Sequence, residues 1–175
     1  MNPQCSVFIA TSLDGFIAGD DGALEFLSVA EDASTDYGYG EFIATVDAIV
    51  MGRATYEVGV GFPVWPYEGQ RVIVLTSGDS RSSVHGEEFS SESPTSLVER
   101  LGREGVRRIY VDGGATIRSF LAAGLIDDLV ISIVPRILGR GIPLFGLGIP
   151  SLPLTLESAE SYDTGLVQLH YRRAS

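Results

Sequence analysis

Lysine is absent from this chain, and cysteine and histidine are scarce. All 12 basic residues are arginines, and there are one cysteine and 2 histidines. Without lysine, the chain has no side chain for Schiff-base chemistry, for attachment of pyridoxal phosphate or for a P-loop. The cysteine and histidines are too few for a disulfide or a structural zinc site within one chain, so we expect no metal. Cys5 lies in an apolar strand pattern and is expected to be a core residue.

Long hydrophobic runs are also missing. No apolar stretch approaches the ~18–20 residues of a membrane span, and the first residues lack the basic n-region of a signal peptide. The net charge of −11 disfavours nucleic acid or an anionic membrane as a partner, so any anionic ligand must be held by local donors. With 175 residues, 45% of them hydrophobic, we expect one globular domain over 1–175, located in the cytoplasm.

Short apolar runs alternate with helical patterns through most of the chain. The middle three of the predicted strands are apolar on both faces, as buried parallel strands are. The predicted strands are Gln4–Ala10, Asp47–Met51, Arg71–Thr76, Arg107–Val111 and Leu129–Val134. The predicted helices are Thr35–Val46, Pro94–Glu104 and Ala115–Ala123. This alternation predicts an α/β fold with a largely parallel sheet.

The end of the chain departs from this alternation. An extended run reaches Tyr162, a turn sequence follows at 163–165, and residues 166–171 alternate between two faces. This pattern predicts an antiparallel hairpin, which makes the sheet mixed.

Two consecutive glycines separate a strand from a helix in YVDGGATIRSFLAAGLIDDL, residues 110–129. Ser93 and Pro94 are signals for the start of the preceding helix, and Gly124 is a stop signal for this one. Gly113 and Gly114 have two interpretations: the turn needs unusual backbone angles, or a ligand approaches the backbone closely. In the second case the free N–H groups of the helix would bind an anion such as a phosphate.

Two further strands end in residues that suit an anionic ligand. In VMGRATYE, Gly52, Arg53 and Thr55 combine a small residue, a cation and a hydroxyl at a helix start. The alternative is an exposed arginine beside a capping threonine. In VIVLTSGDSR, Thr76 and Ser77 end a strand, and such hydroxyls often cap turns only. Arg81 follows, as a second candidate cation.

Asp14 is the acid that follows the first strand, in TSLDGFIAGDDG, where it would face a central cleft. This glycine-rich loop could close over a ligand, or it is an ordinary solvated loop. Trp65 lies between two prolines and could line a pocket or cover the core. His85 and His170 lie in strand-like contexts and are expected to be structural.

Taken together, these stretches resemble the dihydrofolate reductase-like superfamily over nearly the whole chain. The likeness is greatest to the reductase domain of bifunctional riboflavin-biosynthesis deaminase-reductases and their stand-alone relatives. The stretches that carry it are SLDGFIA, VMGRATYE, VIVLTS, VDGGATIRSFLAAGLIDDL and PRILGRGIPLF. The resemblance implies a mixed, mostly parallel sheet flanked by helices, with a C-terminal antiparallel hairpin. The zinc deaminase signature of the bifunctional enzymes is absent, because this chain has one cysteine.

The resemblance also implies NADPH as cofactor, with its pyrophosphate at the glycine turn and its adenosine side at the other strand ends. The cofactor-binding residues implied are Gly52, Arg53, Thr55, Thr76, Ser77, Gly113, Gly114, Ala115 and Thr116. The implied activity is NADPH-dependent reduction of a small heterocycle, such as 5-amino-6-(5-phosphoribosylamino)uracil. Asp14 and Asp36 are the candidate catalytic acids.

Two alternatives stay open at this stage. The chain could be a dihydrofolate reductase, in which Asp36 would stand for the acid on the first helix. Those enzymes bind the folate tail through an arginine before the third strand, where this chain has Gln70, with Arg71 displaced by one residue. The chain could also be a non-catalytic NADPH-binding sensor. In either case the apolar stretch 137–154, with few charges, predicts a homodimer.

Overall fold

The fold alternates strands and helices around one large sheet. The computed structural model describes residues 2–30, 32, 34–78 and 83–174. The strands are β1 (Gln4–Ser12), β2 (Phe16–Ala18), β3 (Ala48–Gly52), β4 (Val72–Leu75), β5 (Glu88–Ser90), β6 (Arg108–Asp112), β7 (Asp128–Val134), β8 (Ile142–Pro143), β9 (Leu154–Ser161) and β10 (Val167–Arg173). The helices are α1 (Tyr39–Ile43), α2 (Arg53–Val60), α3 (Pro94–Arg103) and α4 (Gly114–Ala122), with a 3-10 helix at Glu25–Ala30.

Eight strands form the main sheet in the order β5-β4-β3-β6-β1-β7-β10-β9. The first six are mutually parallel, whereas β10 is antiparallel to both β7 and β9. The predicted α/β fold with a mixed, mostly parallel sheet and a C-terminal hairpin is therefore confirmed. Because the parallel strands point the same way, all their carboxyl ends lie at one edge of the sheet.

Burial explains why the central strands were recognisable from sequence. Within β3 and β6, Ala48, Ile49, Val50, Ile109 and Val111 have no exposed surface. Helices cover both faces of these strands, so apolar residues on both faces are removed from water. The helix signals are confirmed as well: the Ser93 hydroxyl accepts a hydrogen bond from the Ser96 N–H at the start of α3.

The predicted helix Thr35–Val46 is wrong in length, since only Tyr39–Ile43 is helical. Tyr37 and Gly38 have positive φ angles of 55° and 79°, which a right-handed helix cannot include. The sequence analysis also missed the short strands β2, β5 and β8, which are too short to show periodicity. His85 lies in a turn rather than a strand, stacked on Trp65 with ring centroids 4.6 Å apart.

None of the helices in the described part of the chain is long and apolar enough to span a membrane.

Candidate functional site

A cleft of about 710 Å3 opens where β1, β3, β4 and β6 end, and this edge is where open α/β sheets bind ligands. Its other walls come from β2, the 3-10 helix, α2 and α4. Most of the predicted cofactor residues line it, namely Gly52, Arg53, Thr55, Gly113, Gly114, Ala115 and Thr116. The structure thus brings together two sequence motifs that lie far apart in the chain.

The two motifs have the same form, Gly-x-Ala-Thr, and they interlock. GRAT, residues 52–55, joins β3 to α2, and GGAT, residues 113–116, joins β6 to α4. A Cβ atom on Gly52 would lie 2.9 Å from Thr116 Oγ1, and one on Gly113 would overlap Thr55 Oγ1. Each threonine therefore packs against the glycine of the other motif. These two packing contacts hold the N-termini of α2 and α4 side by side at the cleft.

The structure confirms the first interpretation of the double glycine, that the turn needs unusual backbone angles. Gly113 has φ 85° and ψ 136°, a conformation that L side chains rarely adopt. The group that closely approaches Gly113 is the Thr55 hydroxyl, which belongs to the protein itself. Gly114 faces the cleft, where a Cβ atom would lie 2.7 Å from Ile17 Cδ1 and 3.0 Å from Arg118 Nη1.

The helices α2 and α4 begin without a side-chain cap. Their N-cap residues are Gly52 and Gly113, and neither has a side chain that could accept from the first N–H groups. In contrast, Ser93 caps α3, whose N-terminus is outside the cleft lining. Uncapped N–H groups and the positive ends of two helix dipoles make this part of the cleft suitable for an anion.

Two arginines add positive charge to the same cleft. Arg53 Nε donates to Glu57 Oε1 at 3.0 Å, and its Nη1 lies 3.6 Å from where a Cβ atom of Gly78 would be. Arg118 donates to the carbonyl of Pro143 and also lines the cleft. The sequence analysis missed Arg118. Its position four residues after Gly114, on the same helix face, is the signal that could have identified it.

The hydroxyl groups of Thr76 and Ser77, which follow β4, do not line the cleft. Thr76 Oγ1 accepts from the Gly78 N–H at 3.2 Å, as in a turn, and Ser77 is exposed. Neither residue is part of the cleft lining, although Thr76 and Arg53 both lie near Gly78. Arg81, the second candidate cation, lies outside the described residues.

Asp112, the last residue of β6, is a functional candidate that the sequence analysis missed. Its carboxylate lines the cleft and accepts from Tyr67 Oη at 3.0 Å and from the Gly113 N–H at 2.8 Å. Burial raises the pKa of Asp112 above its ordinary value, despite the opposing effect of these hydrogen bonds. A carboxyl group with a raised pKa in a cleft is suited to donating a proton.

Asp14 and Asp36, the two predicted catalytic acids, have the opposite character. Asp14 accepts from Ser12 Oγ at 2.6 Å and from the Gly139 N–H at 2.7 Å, and it does not line the cleft. The hydrogen bond from Ser12 and those from the backbone lower the pKa of Asp14. Asp36 accepts from the Gly40 and Gly38 N–H groups, which lower its pKa. Both carboxylates are therefore ionised at neutral pH.

A second cavity of about 560 Å3 adjoins the cleft. Phe8, Ala10 and Leu27 line both, so a ligand in one would be close to a ligand in the other. The second cavity lies between β1, β7, the 3-10 helix and described residues just before α1, such as Asp32 and Thr35. Asp36 lines it, whereas Asp14 does not.

Trp65 packs against the hydrophobic core and is not among the residues that line the cleft, so the second of its two interpretations is confirmed. Its ring packs edge-on against Tyr67, at a centroid distance of 5.1 Å, and Tyr67 lines the cleft. Trp65 thus stands directly behind the wall of the cleft.

The fold and the cleft define an α/β protein whose cleft, between two helix N-termini, is suited to an anionic ligand. The RibD C-terminal domain family matches residues 3–168, so the chain belongs to this family. The reductase-like assignment made from the motifs is thereby confirmed.

Similar proteins match the chain over nearly its full length. The uncharacterised Bacillus subtilis (strain 168) protein YwjB is 38% identical over 99% of this chain and 100% of its own. A Shewanella sp. PV-4 protein, provisionally assigned to riboflavin biosynthesis, has a structure with a TM-score of 0.91, 35% identity and 100% coverage of both chains. The Thermotoga maritima diaminohydroxyphosphoribosylaminopyrimidine deaminase/5-amino-6-(5-phosphoribosylamino)uracil reductase shares the fold, with a TM-score of 0.75, 18% identity and coverage of 99% of this chain but 57% of its own.

Proposed function

We propose that this protein is an NADPH-dependent oxidoreductase that reduces a small heterocyclic substrate. The observation that carries the proposal is the pairing of two uncapped helix N-termini with two arginines, Arg53 and Arg118, in one cleft. A chain with a net charge of −11 has little other positive potential to offer a nucleotide with several phosphate charges. Family membership supports the same conclusion.

The residues of the cleft fit the cofactor on chemical grounds. The pyrophosphate would be held by the N–H groups that follow Gly113, together with Arg118, and the 2′-phosphate by Arg53. Gly114 leaves open the space that a side chain would fill beside Ile17 and Arg118. When bound, the cofactor supplies a hydride, and the protein supplies orientation and exclusion of water.

The second cavity is the proposed substrate site. Phe8, Ala10 and Leu27 line both cavities, so the substrate would meet the cofactor there. Asp112 lines the cleft that adjoins this cavity and is the proposed proton donor to the part of the substrate that meets the cofactor. Its raised pKa keeps part of the carboxyl population protonated at a higher pH than is the case for Asp14 or Asp36. The Tyr67 hydroxyl orients the Asp112 carboxyl group.

The dihydrofolate reductase alternative has less support in the structure. Arg71, the nearest residue to the arginine that would bind a folate tail, donates through Nη2 to Glu88 at 3.2 Å and Glu104 at 2.7 Å. It lies outside the lining of both cavities.

The cofactor is tested by titrating the protein with NADPH and NADH while following the fluorescence of Trp65, the single tryptophan. Arg53→Ala is expected to weaken NADPH binding by ~10–150-fold and to leave NADH nearly unchanged. The reason is that a hydrogen bond to a charged group contributes roughly 1.5–3 kcal/mol, and NADH lacks the 2′-phosphate. Arg107→Ala removes the same charge from a side chain that is 89% exposed and outside the cleft, so it is the matched control. Equal weakening of both cofactors by Arg53→Ala contradicts the assignment of Arg53.

We also propose that the protein forms a homodimer. Ile137, Phe145 and Leu147 are 67%, 50% and 105% exposed, and each residue of the edge strand β9 is exposed. Exposed apolar residues and a free strand edge are each typical of an interface. Light scattering at micromolar concentration is expected to give the mass of a dimer. Phe145→Asp should raise the dissociation constant by about tenfold or more, since burying an aromatic side chain contributes ~1.5–3 kcal/mol.

The control for the dimer is Val64→Asp, a change at an exposed apolar residue outside the 137–154 stretch. It should leave the mass unchanged. A monomeric wild-type protein at micromolar concentration refutes the dimer.

A further inference from the structure

We propose that the second cavity binds a flat, neutral or positively charged ring compound that carries no phosphate group. This inference rests on the proposed function, because it names the substrate class of the same site. Its basis is the distribution of charge between the two adjoining cavities. Arg53 and Arg118 line the cofactor cleft, whereas the described residues that line the second cavity include two aspartates and no arginine.

Both aspartates, Asp32 and Asp36, are charged at neutral pH. Asp32 Oδ1 accepts from the Ser34 N–H at 2.9 Å and from Ser34 Oγ at 2.7 Å, and these bonds lower the pKa of Asp32. Asp36 is held by two backbone N–H groups. A phosphate dianion in this cavity would be repelled by two fixed negative charges and would meet no cation among the described lining residues.

Within the described residues, α1 is the helix that begins at this cavity, and it does not provide an anion site either. Asp36 accepts from the N–H groups of Gly38 and Gly40 at the start of α1, and its backbone carbonyl accepts from the Tyr39 N–H. The donors that could have held a phosphate are therefore occupied by the chain itself. In the cofactor cleft, α2 and α4 have no such cap.

The inner walls suit a flat ring. Phe8 and Tyr39 both line the cavity, and their rings contact edge to face with centroids 5.6 Å apart. Ser132, which is 4% exposed, accepts from Gln168 Nε2 at 3.0 Å, so its own O–H is left to donate to a ring oxygen or nitrogen. Aromatic walls with one buried polar group bind heterocycles through stacking and a single directed hydrogen bond.

The predicted substrate class differs from that in the name of the Thermotoga maritima reductase, which contains a phosphoribosyl group. The two proteins can act on the same kind of ring, but the second cavity of this protein has no described cation that would bind the phosphate of a phosphoribosyl group. The substrate of this protein would therefore come from a reaction that leaves, or produces, a free base or an unphosphorylated sugar.

Calorimetric titration with matched pairs of compounds tests the proposal on the full chain. The probes are 5-amino-6-ribosylaminouracil, cytidine and guanosine, each compared with its own 5′-phosphate. At least one unphosphorylated compound is expected to bind. Its 5′-phosphate is expected to bind with an affinity that is lower by about tenfold or more. Tighter or equal binding of the phosphates overturns the proposal, and so does binding of none of the unphosphorylated compounds.

A charge variant separates electrostatics from shape. Asp32→Asn combined with Asp36→Asn is expected to reduce the discrimination against the phosphate to roughly a few-fold at most. Asp32→Asn alone keeps the test usable if the loss of the α1 cap prevents folding, and it should reduce the discrimination about half as much on a logarithmic scale. Glu99→Gln, which removes one negative charge from an exposed position of α3, is the control and should change nothing. Unchanged discrimination in both aspartate variants overturns the proposal.

The NADPH titration is measured on the same samples. If NADPH binds but the pairs show no preference for the unphosphorylated compounds, only the substrate class is wrong. If NADPH does not bind, the proposed function itself is wrong.

Discussion

Asp112→Asn is expected to lower kcat by about 10²–10⁴-fold while NADPH affinity stays within a few-fold, because the variant loses a positioned proton donor and no phosphate contact. The assay follows oxidation of NADPH with the unphosphorylated compound that binds most tightly. In the wild type, kcat should fall as the pH rises through the raised pKa of Asp112, because the protonated form is the active one. In the variant this dependence should disappear.

The stability of Asp112→Asn provides a second readout. The raised pKa means that the folded protein holds the proton more tightly than the unfolded chain does. The associated stability is present at low pH and is lost as the pH rises through the folded-state pKa. An asparagine avoids this loss, so the variant should unfold at the same temperature as the wild type or higher at neutral pH.

Asp127→Asn is the matched control for Asp112→Asn. Asp127 is also a half-buried aspartate that accepts a backbone N–H, from Cys5 at 2.8 Å, but it lies outside the cleft and the adjoining cavity. The Asp127→Asn variant should have a kcat within a few-fold of the wild-type value. An Asp112→Asn enzyme with a wild-type kcat and pH profile shows that Asp112 is not the proton donor.

Gly113→Ala is expected to lower the free energy of unfolding by about 2–6 kcal/mol and to abolish NADPH binding. The backbone conformation at Gly113 costs roughly 1–3 kcal/mol for an L residue, and the new methyl group overlaps Thr55 Oγ1, which adds about 1–3 kcal/mol of overpacking. For a chain of this length, the melting temperature should fall by about 4–24 °C. Calorimetry and the Trp65 titration measure the two effects.

Two variants divide this effect into its causes. Gly105→Ala also places an L residue at positive φ, 90°, but its Cβ atom would have no atom within 4 Å, so it reports the backbone cost alone. Gly113→Ala combined with Thr55→Ala removes the overlapping hydroxyl and should recover part of the stability. If Gly113→Ala costs no more than Gly105→Ala, the contact between the two motifs does not contribute to stability.

Most of the sheet could be predicted from the sequence because its signals are local. The central strands are apolar on both faces, and the hairpin alternates with a period of two around a turn at 163–165. The segment before α1 could not be predicted, because the apolar spacing there resembles a full helix. Tyr37 takes a positive φ, and its carbonyl accepts from Gln168 Nε2 at 3.0 Å, a contact with a strand far along the chain.

In the candidate site, too, the residues with a local sequence signal could be predicted, whereas those that depend on contacts with distant residues could not. Arg53 and the glycine turns could be identified because they follow strands directly, and a strand end places them at the edge of the sheet. Asp112 and Asp14 could not be told apart, since each is an acid next to a strand end. Their difference lies in surroundings: Asp112 is covered within the cleft, whereas Ser12 and the backbone near Gly139 hold Asp14 outside it.

The sequence by itself determined the family, the order of the longer strands and the absence of lysine chemistry, because each follows from residue identity and short-range spacing. Only the tertiary structure decided that two Gly-x-Ala-Thr motifs interlock, that Arg118 joins Arg53, and that the adjoining cavity is acidic. These features depend on the order of parallel strands, which places β3 beside β6 although α2, β4, β5 and α3 lie between them in the chain. The chemistry of the site arises from contacts between distant residues, which no local pattern encodes.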